Sequence, residues 1–376
     1  MNRILNTSIF ISLFLSGFAW SGLDEGVAAY KNGDYQKAIQ EFQPLASNGD
    51  SFAKFNLGLM YSKGLGVTQD EEEAQRLFLS AAEHGDPEAQ HAIATLYGQG
   101  KGVHQDDYLA FSWFLKSAKQ GDEKSQFSVA TQYENGVGVK QDYNEAIEWY
   151  RMAAEQGHVG AQFYLGYIYE AGLGVPQDFS ELLKWYRMAA EQGAVKVQFN
   201  LGVMYANGEG VPQDCSEAVK WYGMAAEQGD VRAQFNLGLM YDEGQGVPKD
   251  DSEAVKWYRM AAEQGNVDAQ ANLGAIYFDL DGKERNDSEA IKWLSSAAKQ
   301  GNAHAQYYLG FMYLRGRQVD KDFVQAHSWF SLSSINGFQL SIEVIDLIEK
   351  GMTSHQIFEA EALSERCLST SYKNCS

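Results

Sequence analysis

The nine-residue sequence WYRMAAEQG combines two aromatic rings, a guanidinium, a carboxylate and an amide, groups that occur in many binding and catalytic sites. It begins at Trp149, Trp185 and Trp257, and it occurs again from Trp221 with Gly223 in place of the arginine. A site that needed the cation would not be expected to lose it among otherwise identical neighbours. The substitution therefore favours a structural role for the motif, with its arginine in solvent.

Other residues with catalytic or metal-binding chemistry lack the spacing of a site. The seven histidines are scattered, and no two have the i, i+4 spacing of a zinc-binding helix. The sequence DLDG, residues 279–282, resembles the beginning of a calcium loop but lacks the later ligands. The Gly-x-Gly sequences follow helical patterns rather than strands, unlike phosphate-binding loops. We therefore predict no metal, no cofactor and no catalytic residues.

Composition and charge exclude further classes of function. The chain has 376 residues, and 30 basic against 50 acidic residues give a formal charge of -20. This charge repels nucleic-acid phosphates and anionic lipid surfaces, so we expect no nucleic-acid partner. Three cysteines are too few for a fold built on disulfides.

The first 21 residues have the pattern of a secretory signal peptide. One cation, Arg3, precedes the apolar run 9–18, and small residues at Ala19 and Ser21 suit a cleavage site. The run is short for a membrane span, and no second run of about 18 apolar residues follows. We expect residues 1–21 to be removed and the mature protein to be exported, periplasmic or secreted, without a membrane span.

Tyrosine, glycine and tryptophan positions recur along the chain at one interval, as in the step of 36 residues from Tyr61 to Tyr97. The tyrosines are Tyr61, Tyr97, Tyr133, Tyr169, Tyr205, Tyr241, Tyr277 and Tyr313. Glycines from Gly85 to Gly337 and tryptophans from Trp113 to Trp329 keep the same spacing. A fixed period of this length indicates stacked structural repeats.

Each repeat has the pattern of two amphipathic helices separated by a loop. In residues 161–196, apolar residues recur at helical spacing from Ala161, which predicts a first helix. The sequence GLGVPQD at residues 172–178 predicts a loop. Apolar residues resume at helical spacing from Leu182 and stop before Gly193, which predicts a second helix ended by a glycine.

Two positions of the repeat bear on helix ends and helix contacts. An acidic or amide residue followed by Glu or Gln three residues later predicts a capping box at the start of the second helix, and only Asp106, followed by Leu109, departs from it. The pairs are Asp70/Glu73, Asp142/Glu145, Asp178/Glu181, Asp214/Glu217, Asp250/Glu253, Asn286/Glu289 and Asp322/Gln325. At Gly166 and its equivalents only Gly or Ala occurs, so we expect another helix backbone to approach closely there.

On this scheme WYRMAAEQG lies in the second helix. Trp149 and Tyr150 share one stripe with the two alanines a turn later, so we expect the rings to be buried between repeats. Arg151 lies off that stripe and is expected to pair loosely with Glu155.

The sequence AQFNLGLMYDEGQGVPKDDSEAVKWYRMAAEQG, residues 233–265, resembles the consensus of the Sel1-like repeat family, a relative of the tetratricopeptide repeats. The resemblance covers residues 50–337 as eight repeats, and residues 22–49 look like a shorter tetratricopeptide-type helix pair. It implies an all-α fold, a right-handed α/α superhelix (solenoid) of about nine antiparallel helix pairs, followed by capping helices in residues 338–376. Two loops depart from the family pattern, at residues 279–287 and 315–322.

The C-terminal segment carries two of the three cysteines. Cys367 and Cys375 follow a helix that a Thr353/Gln356 capping box would begin. In an exported protein, and by similarity to endings in this family, we expect these cysteines to form a disulfide. Cys215 would then be a free thiol in the first turn of a helix.

By analogy with tetratricopeptide-like solenoids, the first helices line a concave groove, and their face opposite the core stripe would bind partners. The candidate residues on that face are Tyr164, Tyr167, Asn200, Asn236, Asn272, Tyr308, Phe311 and Arg315. Aromatic anchors are enriched at binding hot spots, and asparagines can hydrogen-bond the backbone of an extended peptide. Alternatively, the rings pack against the first helix of the next repeat.

The family resemblance and the missing catalytic patterns together predict a non-enzymatic, exported scaffold or adaptor. Its partner would be a protein or an extended peptide bound in the groove. An alternative of another class is an envelope hydrolase, or a peptidoglycan- or β-lactam-binding protein, with its site in the same groove. A third is a structural spacer without a single partner.

Overall fold

The computed structural model describes residues 22–279 and 284–372, together with Cys375. Within these residues the chain forms twenty helices and no strands. The predicted signal peptide, residues 1–21, lies outside the described residues, as do residues 280–283 of the DLDG sequence.

The helices follow one another in pairs joined by short loops. Helix α1 comprises residues 22–31 and α2 comprises Tyr35–Ser47. The first helices of the eight repeats are α3 (Ser51–Lys63), α5 (Pro87–Gln99), α7 (Glu123–Asn135), α9 (Val159–Ala171), α11 (Val195–Asn207), α13 (Val231–Glu243), α15 (Val267–Phe278) and α17 (Ala303–Arg315). The second helices are α4 (Glu71–Glu83), α6 (Asp107–Lys119), α8 (Tyr143–Glu155), α10 (Phe179–Glu191), α12 (Cys215–Glu227), α14 (Asp251–Glu263), α16 (Asp287–Ala298) and α18 (Phe323–Ile335). The chain ends with α19 (Leu340–Glu349) and α20 (Ser354–Ser369).

The chain divides into two compact units, Met1–Gln192 and Gly193–Ser376. Within each unit, successive helices pack against each other, from α2 to α10 in the first and from α11 to α19 in the second. This succession of packed helix pairs confirms the predicted all-α repeat fold.

At the start of the second helices, the structure confirms one of the two hydrogen bonds of each predicted capping box. Asp250 Oδ1 accepts a hydrogen bond from the backbone N–H of Glu253 at 3.2 Å, as a helix cap does. The backbone N–H of Asp250, however, donates to the carbonyl of Tyr241 at 2.9 Å, so the Glu253 side chain has no cap donor to accept from. The prediction of reciprocal boxes in the repeats is therefore wrong. Asp106 caps the Leu109 N–H at 2.9 Å, so the exception noted in the sequence still begins a helix in the same way.

The glutamate three residues after the cap takes another role in two repeats. Glu181 accepts a hydrogen bond from Trp185 Nε1 at 2.9 Å, and Glu289 accepts one from Trp293 Nε1 at 2.8 Å. The equivalent indole nitrogen of Trp257 is buried and has no hydrogen-bond partner within the described residues. Glu253 pairs with Lys256 at 3.0 Å without binding the indole, so the same sequence pattern leads to two different side-chain arrangements.

The small residue of the first helix lies against an aromatic ring of the second helix. A Cβ atom placed on Gly238 would lie 2.6 Å from the ring of Tyr258, and Gly166 faces Tyr186 in the same way. The two helices meet here as predicted. A second backbone also comes close as expected, since a Cβ atom on Gly166 would lie 3.4 Å from the Leu182 carbonyl oxygen, although the nearest atoms are those of the ring.

The WYRMAAEQG motif packs largely as its periodicity predicts. Tyr150 is fully buried, whereas Trp149 is half-buried. The predicted pairing of Arg151 with Glu155 is wrong. The Arg151 guanidinium donates instead to the hydroxyl of Tyr169 in the next repeat, at 3.0 Å, and pairs with Glu148 at 2.9 Å. The arginine therefore links neighbouring repeats rather than standing in solvent.

Buried glutamines join three successive helices. Gln234 of α13 is 1% exposed, its Nε2 donates to the carbonyl of Ala226 in α12 at 3.1 Å, and its Oε1 accepts from Gln264 Nε2 after α14 at 2.8 Å. The same side-chain pair recurs as Gln120/Gln90, Gln156/Gln126, Gln192/Gln162, Gln228/Gln198, Gln300/Gln270 and Asn336/Gln306. The glutamine of AAEQG thus fixes the position of a second helix against the first helix of its own repeat.

We expect Gln234→Ala to lower the free energy of unfolding by about 2 kcal/mol, because it removes two hydrogen bonds of a buried side chain, one to the Ala226 carbonyl and one from Gln264. Gln264→Ala, at an exposed helix end, should cost about 1 kcal/mol. Urea unfolding followed by circular dichroism measures both values, with Glu263→Ala as the exposed neighbouring control. Equal midpoints for Gln234→Ala and the control would contradict a role of this glutamine in holding the repeats together.

The last two helices pack on the final repeat. Both α19 and α20 contact α18. Cys367 and Cys375 are joined by a disulfide and are buried in a core that includes Trp329. The expected cysteine pair therefore holds the chain end against the final repeat, and Cys215 is a half-buried free thiol.

Candidate functional site

The predicted aromatic pair of α9 lies partly exposed on the first-helix face of unit 1. Tyr164 is 37% exposed and Tyr167 is 42% exposed. The Tyr164 ring stacks on Tyr150 of α8 with centroids 5.7 Å apart and an interplanar angle of 5°. It also lies 5.8 Å from Phe127 of α7. The ring is thus supported by the preceding repeat and still offers part of its surface to a partner.

Beneath this pair, buried tyrosine hydroxyls bind carboxylates. Tyr150 Oη donates to Glu134 Oε2 at 2.5 Å, and Tyr186 Oη donates to Glu170 at 3.2 Å. Burial, followed by the hydrogen bond to Glu134, raises the pKa of Tyr150 far above its ordinary value. The phenol therefore stays protonated and serves as a hydrogen-bond donor that orients Glu134, not as a base.

The predicted asparagines of unit 2 lie half-buried on their first helices. Asn272 Nδ2 donates to Tyr258 Oη at 3.2 Å. Asn236 makes a hydrogen bond with Tyr222 that lowers the tyrosine's pKa, although burial is the larger effect and raises it. Part of the hydrogen-bonding capacity of the Asn236 and Asn272 side chains is therefore used inside the protein. Asn200 is the equivalent residue on α11.

The second predicted aromatic pair packs more deeply. Tyr308 and Phe311 of α17 are half-buried and lie 5.2 Å and 6.5 Å from the ring of Phe278 in α15. The Arg315 guanidinium lies over the Phe311 ring, 5.4 Å from its centroid. In this part of unit 2 the rings pack against the first helix of the neighbouring repeat, since α15 and α17 are in contact.

Arg317, which sequence reasoning did not single out, links the two loops that depart from the repeat pattern. It is 8% exposed, its Nε donates to Asp287 at 3.1 Å and its Nη1 donates to the carbonyl of Phe278 at 3.0 Å. Helix α15 ends at Phe278, and its C-cap is Asp279 rather than a left-handed glycine; the guanidinium binds the carbonyl of the last helical residue. Hydrogen bonding to Arg317 lowers the pKa of Asp287 to about 2. The only sequence signal was an arginine inside an atypical loop.

Two groups of side chains have the composition of a hydrolase triad. In unit 2, Ser331 Oγ lies 3.3 Å from His327 Nδ1, and His327 Nε2 lies 2.8 Å from Glu349. Here the carboxylate comes from α19, and the histidine is 2% exposed, so the arrangement ties α19 to α18. In unit 1 both Ser125 and Asp122 approach the same nitrogen of His91, at 2.8 Å and 3.6 Å, which does not allow a proton relay across the ring.

Among residues 22–279, 284–372 and 375, no group of three or more His, Cys, Asp or Glu side chains could hold a metal ion. In that same part of the chain, the helices all lack the combination of length and apolar character that crossing a bilayer requires.

Eight consecutive segments match the family model described as Sel1 repeat: residues 51–86, 87–122, 124–158, 159–193, 195–230, 231–266, 267–302 and 303–338. A solved structure of a protective antigen present in uropathogenic Escherichia coli strains, which displays an SLR fold, is 32% identical, with a TM-score of 0.57 over 98% of this chain and 96% of that one. A Sel1 repeat protein from Oxalobacter formigenes is 31% identical, with a TM-score of 0.56 over 82% of this chain and 90% of that one.

A curated relative matches a much shorter segment. DAP3-binding cell death enhancer 1 of Rattus norvegicus is 49% identical over 45 residues, which are 12% of this chain and only 9% of that protein. Sel1 repeat proteins are generally scaffolds that bind other proteins and are typically not enzymes. With eight matched repeats and two solved structures of the same fold at 31% and 32% identity, the chain belongs to the Sel1 repeat family.

Proposed function

We propose that this protein is an exported, non-enzymatic scaffold that binds a partner protein through the first-helix face of unit 1. The observation that carries the proposal is the pair Tyr164 and Tyr167, whose rings remain 37% and 42% exposed on successive turns of α9. Large aromatic side chains with both an apolar surface and a hydroxyl are the commonest anchors of protein interfaces.

Packing also fixes the conformation of the Tyr164 ring before a partner binds. Tyr164 is fixed by its stacking on Tyr150, which is itself fully buried and hydrogen-bonded to Glu134. A ring fixed before binding loses little conformational entropy when a partner covers it. The partner is a folded protein or an extended peptide. In unit 2, the groove residues Asn200, Asn236, Asn272, Tyr308, Phe311 and Arg315 are proposed as further contacts.

Two features support export to the periplasm or to the outside of the cell. Residues 1–21 have the charge, apolar run and small residues of a signal peptide. The disulfide between Cys367 and Cys375 suits an oxidising compartment.

Photo-crosslinking in the cells that make the protein tests this function. With p-benzoylphenylalanine in place of Tyr167, we expect specific crosslinked proteins that mass spectrometry identifies. Capture of the same proteins should fall at least about tenfold in Tyr167→Ala, because truncating an interface anchor typically costs 2 kcal/mol or more of binding. Met152→Ala, which removes a side chain that is also partly exposed but lies on the second helix α8, is the matched control.

Stability measurements on the same variants separate binding from packing. Tyr167→Ala should lower the melting temperature only slightly, because the residue is 42% exposed and its removal leaves no enclosed cavity. If the Tyr164→Ala and Tyr167→Ala variants capture partners normally but melt at lower temperature, the two rings belong to the core and the proposal fails.

A further inference from the structure

A cavity of about 500 Å³ opens on the first-helix face of unit 2, bordered by α13, α15 and α17. Its apolar lining includes Leu239, Ile276 and Tyr308, which are partly buried and pack on the core of that unit. Asn272 also lines the cavity, with its Nδ2 held by Tyr258 at 3.2 Å. The cavity thus has an apolar floor continuous with the core and an amide at its side.

The polar walls of this cavity are strongly acidic. Among the described residues, five carboxylates and one cation line it: Asp242, Glu243, Asp251, Asp279, Glu284 and Lys249. The Lys249 ammonium lies 3.2 Å from Asp251 and 3.4 Å from Asp242, so its charge is already matched by two of the five carboxylates. Among these described lining residues the carboxylates outnumber the ammonium by four.

Helix ends add to this negative potential. Helix α13 ends at Glu243 and α15 ends at Phe278, with Asp279 as its C-cap, so the negative ends of two helix dipoles lie at the acidic wall. A carboxylate at a helix C-terminus is repelled by the dipole and by its acidic neighbours. The wall is consequently a place where a positive charge is favoured.

We propose that this cavity binds a lysine or arginine side chain of an extended segment of the partner protein. The inference rests on the proposed scaffold function and names the chemistry of its partner. The aliphatic stem of the side chain lies on Leu239 and Ile276 beside Tyr308, and the cationic head lies between Glu243 and Glu284. Lysine and arginine side chains combine an aliphatic stem with a cationic head, whereas acidic segments are repelled by the acidic wall.

Selection from a displayed library of random peptides tests this inference. We expect the retained peptides to carry lysine or arginine at one recurrent position. Fluorescently labelled copies of them should bind the double variant Glu243→Gln/Glu284→Gln about tenfold more weakly, with a smaller dependence on salt, because charge pairs at the rim are lost. Lys249→Met should bind the same peptides several-fold more tightly, because a competing cation has gone.

Matched substitutions keep the test specific. Glu227→Gln/Glu263→Gln removes the same charge from two exposed second-helix ends, and we expect peptide affinity equal to that of the unchanged protein. Melting temperatures should not fall in Glu243→Gln/Glu284→Gln, since the substitution relieves repulsion at the acidic wall. Peptides without a basic preference, equal affinity for both double variants, or no retained peptides would each overturn the inference. The scaffold function is judged separately, by crosslinking from position 167 in the other unit.

Discussion

Replacing Trp293 by alanine is expected to lower the free energy of unfolding by about 3–5 kcal/mol, the range for truncating a buried tryptophan. Trp293 is 7% exposed and belongs to the core of unit 2 that also contains Trp329 and Leu332. Its removal leaves a cavity among helices that contact mainly the helices nearest in the sequence, so distant parts of the chain cannot compensate. Urea unfolding followed by circular dichroism measures the loss.

Two further substitutions show whether the indole acts only through its volume. Trp293→Phe removes the hydrogen bond from Nε1 to Glu289, whereas Trp257→Phe removes an N–H group that has no partner within the described residues. Because the change in ring size is the same, we expect Trp257→Phe to cost about 1 kcal/mol less than Trp293→Phe. Met260→Ala, at a partly exposed position of α14, should cost less than any of these. A loss of less than 1 kcal/mol in Trp293→Ala would contradict the assignment of this ring to the core.

Replacing Arg317 by methionine is expected to lower the free energy of unfolding by about 3 kcal/mol, the lower end of the range for breaking a buried ion pair. The substitution keeps most of the side-chain volume but leaves the Phe278 carbonyl without this donor and Asp287 without its main cation. Arg315→Met, two residues earlier and exposed, is the matched control and should change stability by no more than about 0.5 kcal/mol.

The effect of Arg317→Met should also depend on pH. In the folded protein the pKa of Asp287 is lowered from 3.8 to about 2, chiefly by its hydrogen bond to Arg317. A lowered carboxyl pKa stabilises the fold fully above the unfolded-state value, and this contribution is lost as the pH falls through the folded-state value. The difference between the unchanged protein and Arg317→Met should therefore be constant above about pH 5 and shrink toward pH 2. A difference that stays constant over this range would show that Asp287 does not carry the effect.

Much of the fold follows from local patterns in the sequence. The period from Tyr61 to Tyr313, the glycines after each helix and the acidic caps predict where helices begin and end. Left-handed glycines such as Gly244 end the first helices, as this residue type allows. These features depend on interactions within a few residues, so one repeat read from the sequence is enough to assign all eight.

The partners of long side chains needed the tertiary structure. Gln264 and Gln234 are 30 residues apart, as are Arg317 and Asp287, and neither spacing has a signature in the sequence. The exposure of the residues on the candidate binding face could not be predicted from the sequence either. Its residues were chosen from helical periodicity, yet Tyr164 stands partly exposed while Phe311 packs against Phe278.

The sequence by itself determined the helices, their pairing and the stripe that each helix buries, because apolar periodicity and capping act along a single helix. Only the tertiary structure decided which glutamates bind indoles, which arginines join repeats and which aromatic rings remain available to a partner. Those outcomes depend on distances between helices that are set by the packing of neighbouring repeats. Identical motifs such as WYRMAAEQG therefore share one backbone position and differ in the contacts of their side chains.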